Sequence, residues 1–561
     1  MKVLVIGGVA GGTTAAARLR RLDESAQIVV FERGPYVSYA NCGMPYHIGQ
    51  LIKDRQALFV ATSDSLRTDY ALDVRVRHEV VAIDRTRKTV TVRELAGSTT
   101  YEESYDKLIL SPGARPIIPR LPGTDLRGVF TLRSVQDMDA IKALLDSGEA
   151  KAAAVIGGGF IGLEMVENLM ARGLDVMVVE MLDQVLTPLD FEMAAQVHSH
   201  LRLKNVRLGL GDGLKSIARD NQGRLEIVLA SGRMAKADVV ILAVGVQPES
   251  DLAKAAGLKI GPRGHIVVNA QMQTTDPDIY AVGDAVLVSD PISGGPTAIP
   301  LAGPANRQGR LAADHIAGRQ VAYAGTQGTS ITKVFDLAVG TTGLNAKQLR
   351  QLGIAFRDSI SHSPDHASYY PGSTQMSIKL LYRPEGGKLL GAQVVGVNGV
   401  PRTVNVLAAA LKAGMTVFDL ENLELAYAPP FGSAKDPVNI AGFVASNWLR
   451  GDVELVSWDE MARLDPRDDA VLDVRTKGEW EQGHLDGAVH IPVQELRSRV
   501  SELPSAKRWI VYCKIGRRGY IAARILRAHG LRAVNLSGGL DTLKAATELQ
   551  GNFEEWRARE D

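Results

Sequence analysis

Two stretches of this chain, 150 residues apart, follow the same plan. Val3-Leu4-Val5-Ile6 is a short apolar run that reads as a buried parallel strand. It leads into Gly7-Gly8-Val9-Ala10-Gly11-Gly12, and the alanine-rich stretch Thr13 to Arg21 reads as a helix. A second strand, Ile28-Val29-Val30-Phe31, ends at Glu32, 20 residues after Gly12. The plan recurs as the strand Ala153-Ala154-Val155-Ile156, the turn Gly157-Gly158-Gly159-Phe160-Ile161-Gly162, a helix over Leu163 to Arg172, and Val176-Met177-Val178-Val179 ending at Glu180. Glycines let the backbone approach a pyrophosphate at the helix N-terminus, where free N–H groups and the helix dipole favour an anion. The acid at the end of the second strand holds ribose hydroxyls. In the first copy Val9 replaces the middle glycine of G-x-G-x-x-G; the second copy is complete. A lone imperfect fingerprint is weak. Two of them predict two Rossmann-like domains and two nucleotide cofactors, FAD in the first and a nicotinamide in the second. Glu180 suits the free 2′-hydroxyl of NADH and repels the 2′-phosphate of NADPH. Met181, Leu182 and Asp183 add no basic side chain, so NADH is expected.

Between the two units lies Ser38-Tyr39-Ala40-Asn41-Cys42-Gly43-Met44-Pro45, a polar loop holding one of only two cysteines in 561 residues. The other is Cys513, so Cys42 has no local disulfide partner. Lone cysteines are commonly inert and buried. Placed between two nucleotide-binding units, Cys42 instead points to a thiolate, a mixed disulfide with a small thiol, or a sulfenic acid. Two cysteines in such a length fit a reducing cytoplasm. The net charge of +1 gives no general case for nucleic acid or an anionic membrane. No apolar run is long enough for a span, and the N-terminus reads as a strand rather than a signal peptide. No metal site is expected. Leu108 to Ala114 and Val240 to Gly245 read as strands ending in small residues, where the chain crosses between the two nucleotide domains. Ile279 to Val282 is a strand followed by Gly283-Asp284.

With these motifs in place, residues 1–445 resemble the pyridine nucleotide–disulfide oxidoreductase family. Within it they resemble the single-cysteine branch of CoA-disulfide reductases, NADH oxidases and NADH peroxidases. The carriers are Gly7 to Gly12, Ser38 to Pro45, Gly157 to Glu164, Ala281 to Ala285, and Tyr427-Ala428-Pro429-Pro430-Phe431 with Lys435 and Pro437. The resemblance implies a homodimer with FAD, NADH and coenzyme A as cofactors or substrate. It assigns FAD to Gly7, Gly8, Ala10, Gly11, Gly12, Glu32, Arg33, Val80, Ser111, Gly113, Asp284, Leu301 and Ala302, with Asp284 accepting from the ribityl chain. The nicotinamide nucleotide falls to Gly157, Gly159, Phe160, Ile161, Gly162, Glu180 and Gly245. In the resembled peroxidases and oxidases, a histidine in the first helix steadies the cysteine sulfenic acid. This chain has none there; it has Thr14, Arg18 and Arg21 at i, i+4 and i+7 on one face. Resembled CoA-disulfide reductases use that face, with Ser38 and Asn41, to hold CoA, and guanidinium suits its phosphates. Tyr369 and Tyr427 fall where those reductases place two tyrosines beside the CoA sulfur, and Lys435 where the family has a CoA-contacting lysine. Tyr370, next to Tyr369, is a second candidate for that position.

A new pattern follows residue 448. Ala470 to Arg475 reads as a strand, and Trp509-Ile510-Val511-Tyr512 is a strand running into Cys513. The loop Cys513-Lys514-Ile515-Gly516-Arg517-Arg518 leads to a helix from about Gly519 to His529, and Val534 to Gly539 closes the sheet. Loop N–H groups and a helix dipole at the end of a buried strand stabilise a thiolate or persulfide. A phosphatase Cys-x5-Arg loop would have one more residue before its arginine. The segment Leu472 to Gly539 resembles a single rhodanese domain.

The expected order is therefore an FAD-binding domain in two parts (1–115 and 246–322), an NADH-binding domain (116–245), an α+β dimerisation domain (323–448), a linker (449–456) and an α/β rhodanese domain (457–561). The expected function is an NADH-dependent flavoprotein reductase of CoA persulfide, polysulfide and CoA disulfide, with Cys513 relaying sulfane sulfur. Two readings compete with it: an NADH oxidase or peroxidase cycling Cys42 through sulfenic acid, and a flavin redox sensor whose tail only binds partners.

Overall fold

The computed structural model describes residues 1–97 and 99–547, so the last residues of the rhodanese-like segment lie outside it. The described chain forms two compact units, Met1–Leu182 with Gly209–Thr326, and Asp183–Leu208 with Gln327 onward.

In the first unit, five parallel strands run in the order Ile279–Ala281, Lys107–Leu110, Lys2–Ile6, Gln27–Glu32 and Asp73–Val76. Their near-continuous apolar faces are buried on both sides, as parallel strands covered by helices require. The strand Ile279–Ala281 comes from far along the chain, so residues beyond 246 complete the first nucleotide-binding sheet. The crossover helix Ala10–Arg20 lies under a second helix, Ala302–Ile316. They meet at small residues: a Cβ on Gly309 would strike the backbone of Gly11. The second nucleotide-binding sheet holds the parallel strands Asp175–Val179, Ala152–Ile156, Val239–Leu242 and Val129–Phe130, in that order. The two crossing segments pair with each other, Ala114–Pro116 antiparallel to Val246–Pro248. Both fingerprint helices begin earlier than the sequence pattern indicated, at Ala10 rather than Thr13 and at Phe160 rather than Leu163. The last glycine of each fingerprint lies inside the helix, because it must pack against the turn rather than form it.

In the second unit, Ser330–Val334, Leu337–Gly343, Leu389–Gly396, Gln375–Tyr382 and Arg357–Pro364 form an antiparallel sheet in that order. Helices Val400–Lys412 and Pro437–Leu449 pack on it. The rhodanese-like part is a parallel sheet in the order Glu454–Val456, Ala533–Leu536, Arg508–Tyr512, Asp469–Asp473, Val489–His490. Two expectations are corrected here. The linker 449–456 is not all linker: a helix runs to Leu449, and residues 454–456 pair with Val534–Leu536 as an edge strand. The Val534 strand is consequently interior and does not close the sheet. No helix among the described residues is long and apolar enough to cross a membrane.

Candidate active site

The loop that carries Cys42 is clamped by backbone hydrogen bonds. Ser38, in a left-handed conformation (φ 47°), donates its amide to the Gly8 carbonyl at 2.7 Å. Ala40 donates to Leu58 O at 2.8 Å, and Val60 to Ser38 O at 2.8 Å. Asn41–Gly43 then makes one 3₁₀ turn into the helix Met44–Ile48. Met44 and Pro45 are buried and anchor the turn, while Asn41 and Cys42 face solvent. A Cβ at Gly43 would stand 2.5 Å from the end of the buried Leu58 side chain, so any larger residue after Cys42 must displace Leu58. The Cys42 thiol is pushed up from its usual range, chiefly by desolvation and then by the negative charges of Glu164 and Asp284.

The two glycine turns share their geometry. Gly7 (φ 99°) and Gly157 (φ 110°) adopt backbone that L side chains rarely take, and a Cβ at either would collide with the backbone at Ser111 or Ala243. Glu32 and Glu180 fold back onto their own turns. Glu32 accepts from the amides of Gly8 (2.9 Å) and Gly34 (2.7 Å); Glu180 accepts from Gly158 (2.7 Å) and Leu182 (3.0 Å). Each carboxylate is thereby fixed at the carboxyl end of its sheet, where nucleotides bind in such folds.

These residues fit the two nucleotides. A Cβ at Gly159 would meet nothing within 4 Å, so the turn is open on that side. Ile161, Met181, Leu182 and Val244 are exposed apolar side chains at the same end of the second sheet, a surface a bound nucleotide would cover. Gly245 (φ 126°) accepts from Ile117, and Phe160 opens the helix. In the first unit, Ser111 donates its amide to Ile6 O, and Gly113 accepts from Glu249. Burial pushes the Asp284 carboxyl up, against the opposing pull of Arg133. Leu301 and Ala302 start the helix that covers Gly11, and Val80 is a buried strand residue beside a bulge. Arg33, assigned to FAD by resemblance, forks onto Glu249.

The helix face expected to hold CoA is only partly free. Thr14 donates to Asn306 at 2.9 Å. Arg18 donates from both Nε and Nη2 to one oxygen of Asp314, Oδ1, at 2.9 and 2.7 Å, with both side chains largely buried. The carboxylate that neutralises Arg18 came from a distant helix and was invisible to local spacing. Arg21 lies just past the helix end, exposed, with its guanidinium 5.8 Å from the Tyr70 ring centre.

In the second unit, Tyr369 and Tyr427 meet: their hydroxyls are 2.9 Å apart, and both rings are exposed. The hydrogen bond to Tyr427 raises the Tyr369 phenol. Tyr370 instead sets its ring edge-on to His366, so Tyr369 is the partner of Tyr427. Their loops are held by Arg402, a residue the sequence pattern did not single out. It donates to Phe431 O (2.6 Å) and Asp365 O (3.4 Å) and pairs with Asp436 (3.0 Å). The Ala367 amide also bonds Gly432 O at 2.9 Å. Lys435 is exposed beside Asp436.

Cys513 is fully buried at the end of its strand. Its carbonyl accepts from Leu540 N (2.8 Å), and that of Lys514 accepts from Asp541 N (2.9 Å). Helix Arg517–Ala528 starts at Arg517, not near Gly519, because Gly516 (φ 91°) caps it. Arg517 and Arg518 therefore occupy its first turn, with Ile515 half-buried and Lys514 exposed in the short loop before it. Arg518 is bidentate on Glu479, both bonds at 2.6 Å, and also interacts with the Cys513 thiol. It holds the Glu479 carboxyl down to about 2.

Comparison with known proteins accords with this geometry. The model for pyridine nucleotide-disulphide oxidoreductases matches residues 1–309, that for the family's dimerisation domain 329–437, and that for rhodanese-like domains 457–546. A coenzyme A disulfide reductase of Staphylococcus haemolyticus (strain JCSC1435) is 35% identical over 445 residues, covering 79% of this chain and 99% of the relative. The crystal structure of reduced Bacillus anthracis CoADR-RHD is similar at 49% identity and a TM-score of 0.95, over 97% of this chain and 98% of that one. An NAD-dependent persulfide reductase from A. fulgidus follows at 38% identity and 0.91, over 97% and 100%. The chain belongs to the pyridine nucleotide-disulphide oxidoreductase family, whose members use FAD and NAD(H), and carries a rhodanese-like domain after its dimerisation domain.

Proposed function

We propose that this protein is an NADH-dependent reductase of CoA persulfide, polysulfide and CoA disulfide, acting as a homodimer. Bound FAD and NADH supply two electrons to the sulfur of Cys42. The Cys42 thiolate attacks the CoA-bearing sulfur of a CoA persulfide, expels hydrosulfide and becomes a Cys42–S–S–CoA mixed disulfide. Two electrons and a proton then return the Cys42 thiolate and release CoA thiol. CoA disulfide enters the same cycle, with CoA thiolate as the leaving group. Tyr427 and Tyr369, from the other subunit, position CoA and protonate what leaves. Thr14, Arg21, Ser38, Asn41 and Lys435 hold CoA, while Arg18, its charge already taken by Asp314, contributes only the guanidinium N–H that the pair leaves unused. Cys513 receives sulfane sulfur as a persulfide and passes it to CoA thiolate, regenerating the Cys513 thiolate and CoA persulfide.

The observation that carries this reading is an exposed lone cysteine on a rigid turn in a nucleotide-binding unit, in the same chain as a rhodanese-type cysteine loop. The relatives named for CoA disulfide and persulfide support the same substrates. The test is Cys42→Ser, assayed for hydrosulfide release from CoA persulfide and for bleaching of the flavin by NADH. Hydrosulfide release should vanish while bleaching persists. Release at the wild-type rate would sink the mechanism, and oxygen or peroxide turnover by wild type without any sulfur substrate would favour the oxidase reading.

A further inference from the structure

The helix Gly539–Thr547 grips the Cys513 loop from one side and the dimerisation sheet from the other. Its first residues are in close contact with the loop. A Cβ on Gly539 would stand 2.6 Å from Cys513 O and 2.7 Å from both Gly516 N and Lys514 O. The amides of Leu540 and Asp541 close the loop carbonyls. On the far side, the strand Arg357–Pro364 lies against the same segment. Ile360 donates its amide to Ser537 Oγ at 3.0 Å, and a Cβ on Gly538 would come within 2.9 Å of the Ile360 side chain. Next to it, His362 Nε2 is 2.9 Å from Thr542 Oγ1.

His362 is half-buried, and both its ring nitrogens have partners. Its Nδ1 is 2.9 Å from Ser377 Oγ, which donates to Gln196 Oε1 at 2.8 Å. Ser377 therefore accepts from Nδ1–H, which leaves the Nε2 lone pair facing the Thr542 hydroxyl, whose one proton is shared between Nε2 at 2.9 Å and Gly538 O at 3.2 Å. Burial pushes its pKa down to about 4, so the ring is neutral at physiological pH.

We propose that His362, a residue of the dimerisation domain, is a positioning residue for the rhodanese cysteine. It holds Thr542, and through the helix Gly539–Thr547 it holds the backbone groups that shape the Cys513 loop. The flavoprotein half of this subunit thus completes the sulfur-transfer site of its own tail. This rests on the reading of Cys513 as a sulfane-sulfur carrier.

The test uses the full-length holoenzyme with thiosulfate as donor and cyanide as acceptor. Thiosulfate gives its sulfane sulfur to the Cys513 thiolate and leaves as sulfite; cyanide attacks the outer sulfur, leaves as thiocyanate and restores the thiolate. His362→Leu should slow thiocyanate formation about tenfold, since Thr542 then loses its shorter contact and keeps only the 3.2 Å bond to Gly538 O within its own helix turn, which no longer ties that turn to the dimerisation sheet. Thr542→Val should give a similar loss, and the double variant should lose no more than the worse single variant, because one contact is being removed twice. His362→Gln, which keeps an acceptor facing Thr542, should recover to within about twofold. Flavin bleaching by NADH should be unchanged in every variant. Unaltered thiocyanate formation in His362→Leu, or losses that multiply in the double variant, would overturn the inference. A wild-type enzyme that makes no thiocyanate would overturn the reading of Cys513 and the inference with it.

Discussion

Glu180 has both carboxylate oxygens tied to backbone amides, Gly158 on one and Leu182 on the other. Its charge cannot swing away from an incoming 2′-phosphate, and the exposed Met181 and Leu182 beside it offer that phosphate no cation. Replacing Glu180 with Ala should raise kcat/KM for NADPH by about tenfold while lowering it for NADH, because both the repulsion and the ribose acceptor are lost. Steady-state kinetics with the two nucleotides checks this; an unchanged preference would place the discrimination elsewhere. The placement of Glu180 was legible in the sequence because it is local: a strand end after a glycine turn fixes where the side chain goes. The same holds for Cys42 and for Gly7 and Gly157, whose backbone angles no other residue adopts readily. Arg18 shows the opposite case. Helical spacing placed it correctly on a face, but its partner Asp314 is 296 residues away, and no local pattern announces such a pair.

At the scale of elements, the tyrosine pair depends on two loops that share one guanidinium. Arg402, near the start of helix Val400–Lys412, reaches the carbonyls of both loops and the carboxylate of Asp436, which caps helix Pro437–Leu449. Arg402→Lys keeps the charge but has a single nitrogen to serve three acceptors in different directions. The Tyr369–Tyr427 contact should loosen, and kcat for CoA disulfide reduction should fall about tenfold, as when a general acid is misplaced rather than removed. Tyr427→Phe should cost more, about a hundredfold. Comparable kcat values for Arg402→Lys and wild type would show that the loops hold their shape without the clamp. An arginine after a proline at a helix start carries no signal of such a task, whereas both tyrosines were legible through family resemblance. The element boundaries failed for a related reason. Residues 454–456 read as linker because their pairing partner, Val534 to Leu536, lies some 80 residues on, and strand pairing over that distance leaves no local mark.

For the whole molecule, acid is the informative perturbation, because the second unit buries histidines in their neutral form. His362 is pushed down to about 4 and His198 to about 3, both chiefly by burial. His198 Nε2 accepts from the Val185 amide at 3.1 Å, a bond that only the unprotonated nitrogen makes. In the unfolded chain each takes up a proton near pH 6.5, so between that pH and the folded values the unfolded state binds more protons. Stability of this unit therefore falls as pH drops from about 6.5 toward about 4, and the histidine contribution is spent once both states are protonated. Asp190 adds to the loss at still lower pH. The charge of the fully buried Lys379 and hydrogen bonds hold its carboxyl below the usual range despite burial, so its stabilisation disappears as it protonates. The measurement is built into the sequence: all five tryptophans lie at or beyond residue 448. Trp458 donates to Glu192 and lies 5.6 Å from the Phe191 ring centre, so its emission reports on the contact between the rhodanese-like part and the helix Phe191–Leu203. Thermal melts followed by tryptophan emission should show Tm falling steadily between pH 6.5 and 4. His362→Gln should flatten part of that slope, since glutamine has nothing to protonate. A Tm independent of pH across this window would mean that neither histidine is held neutral by the fold.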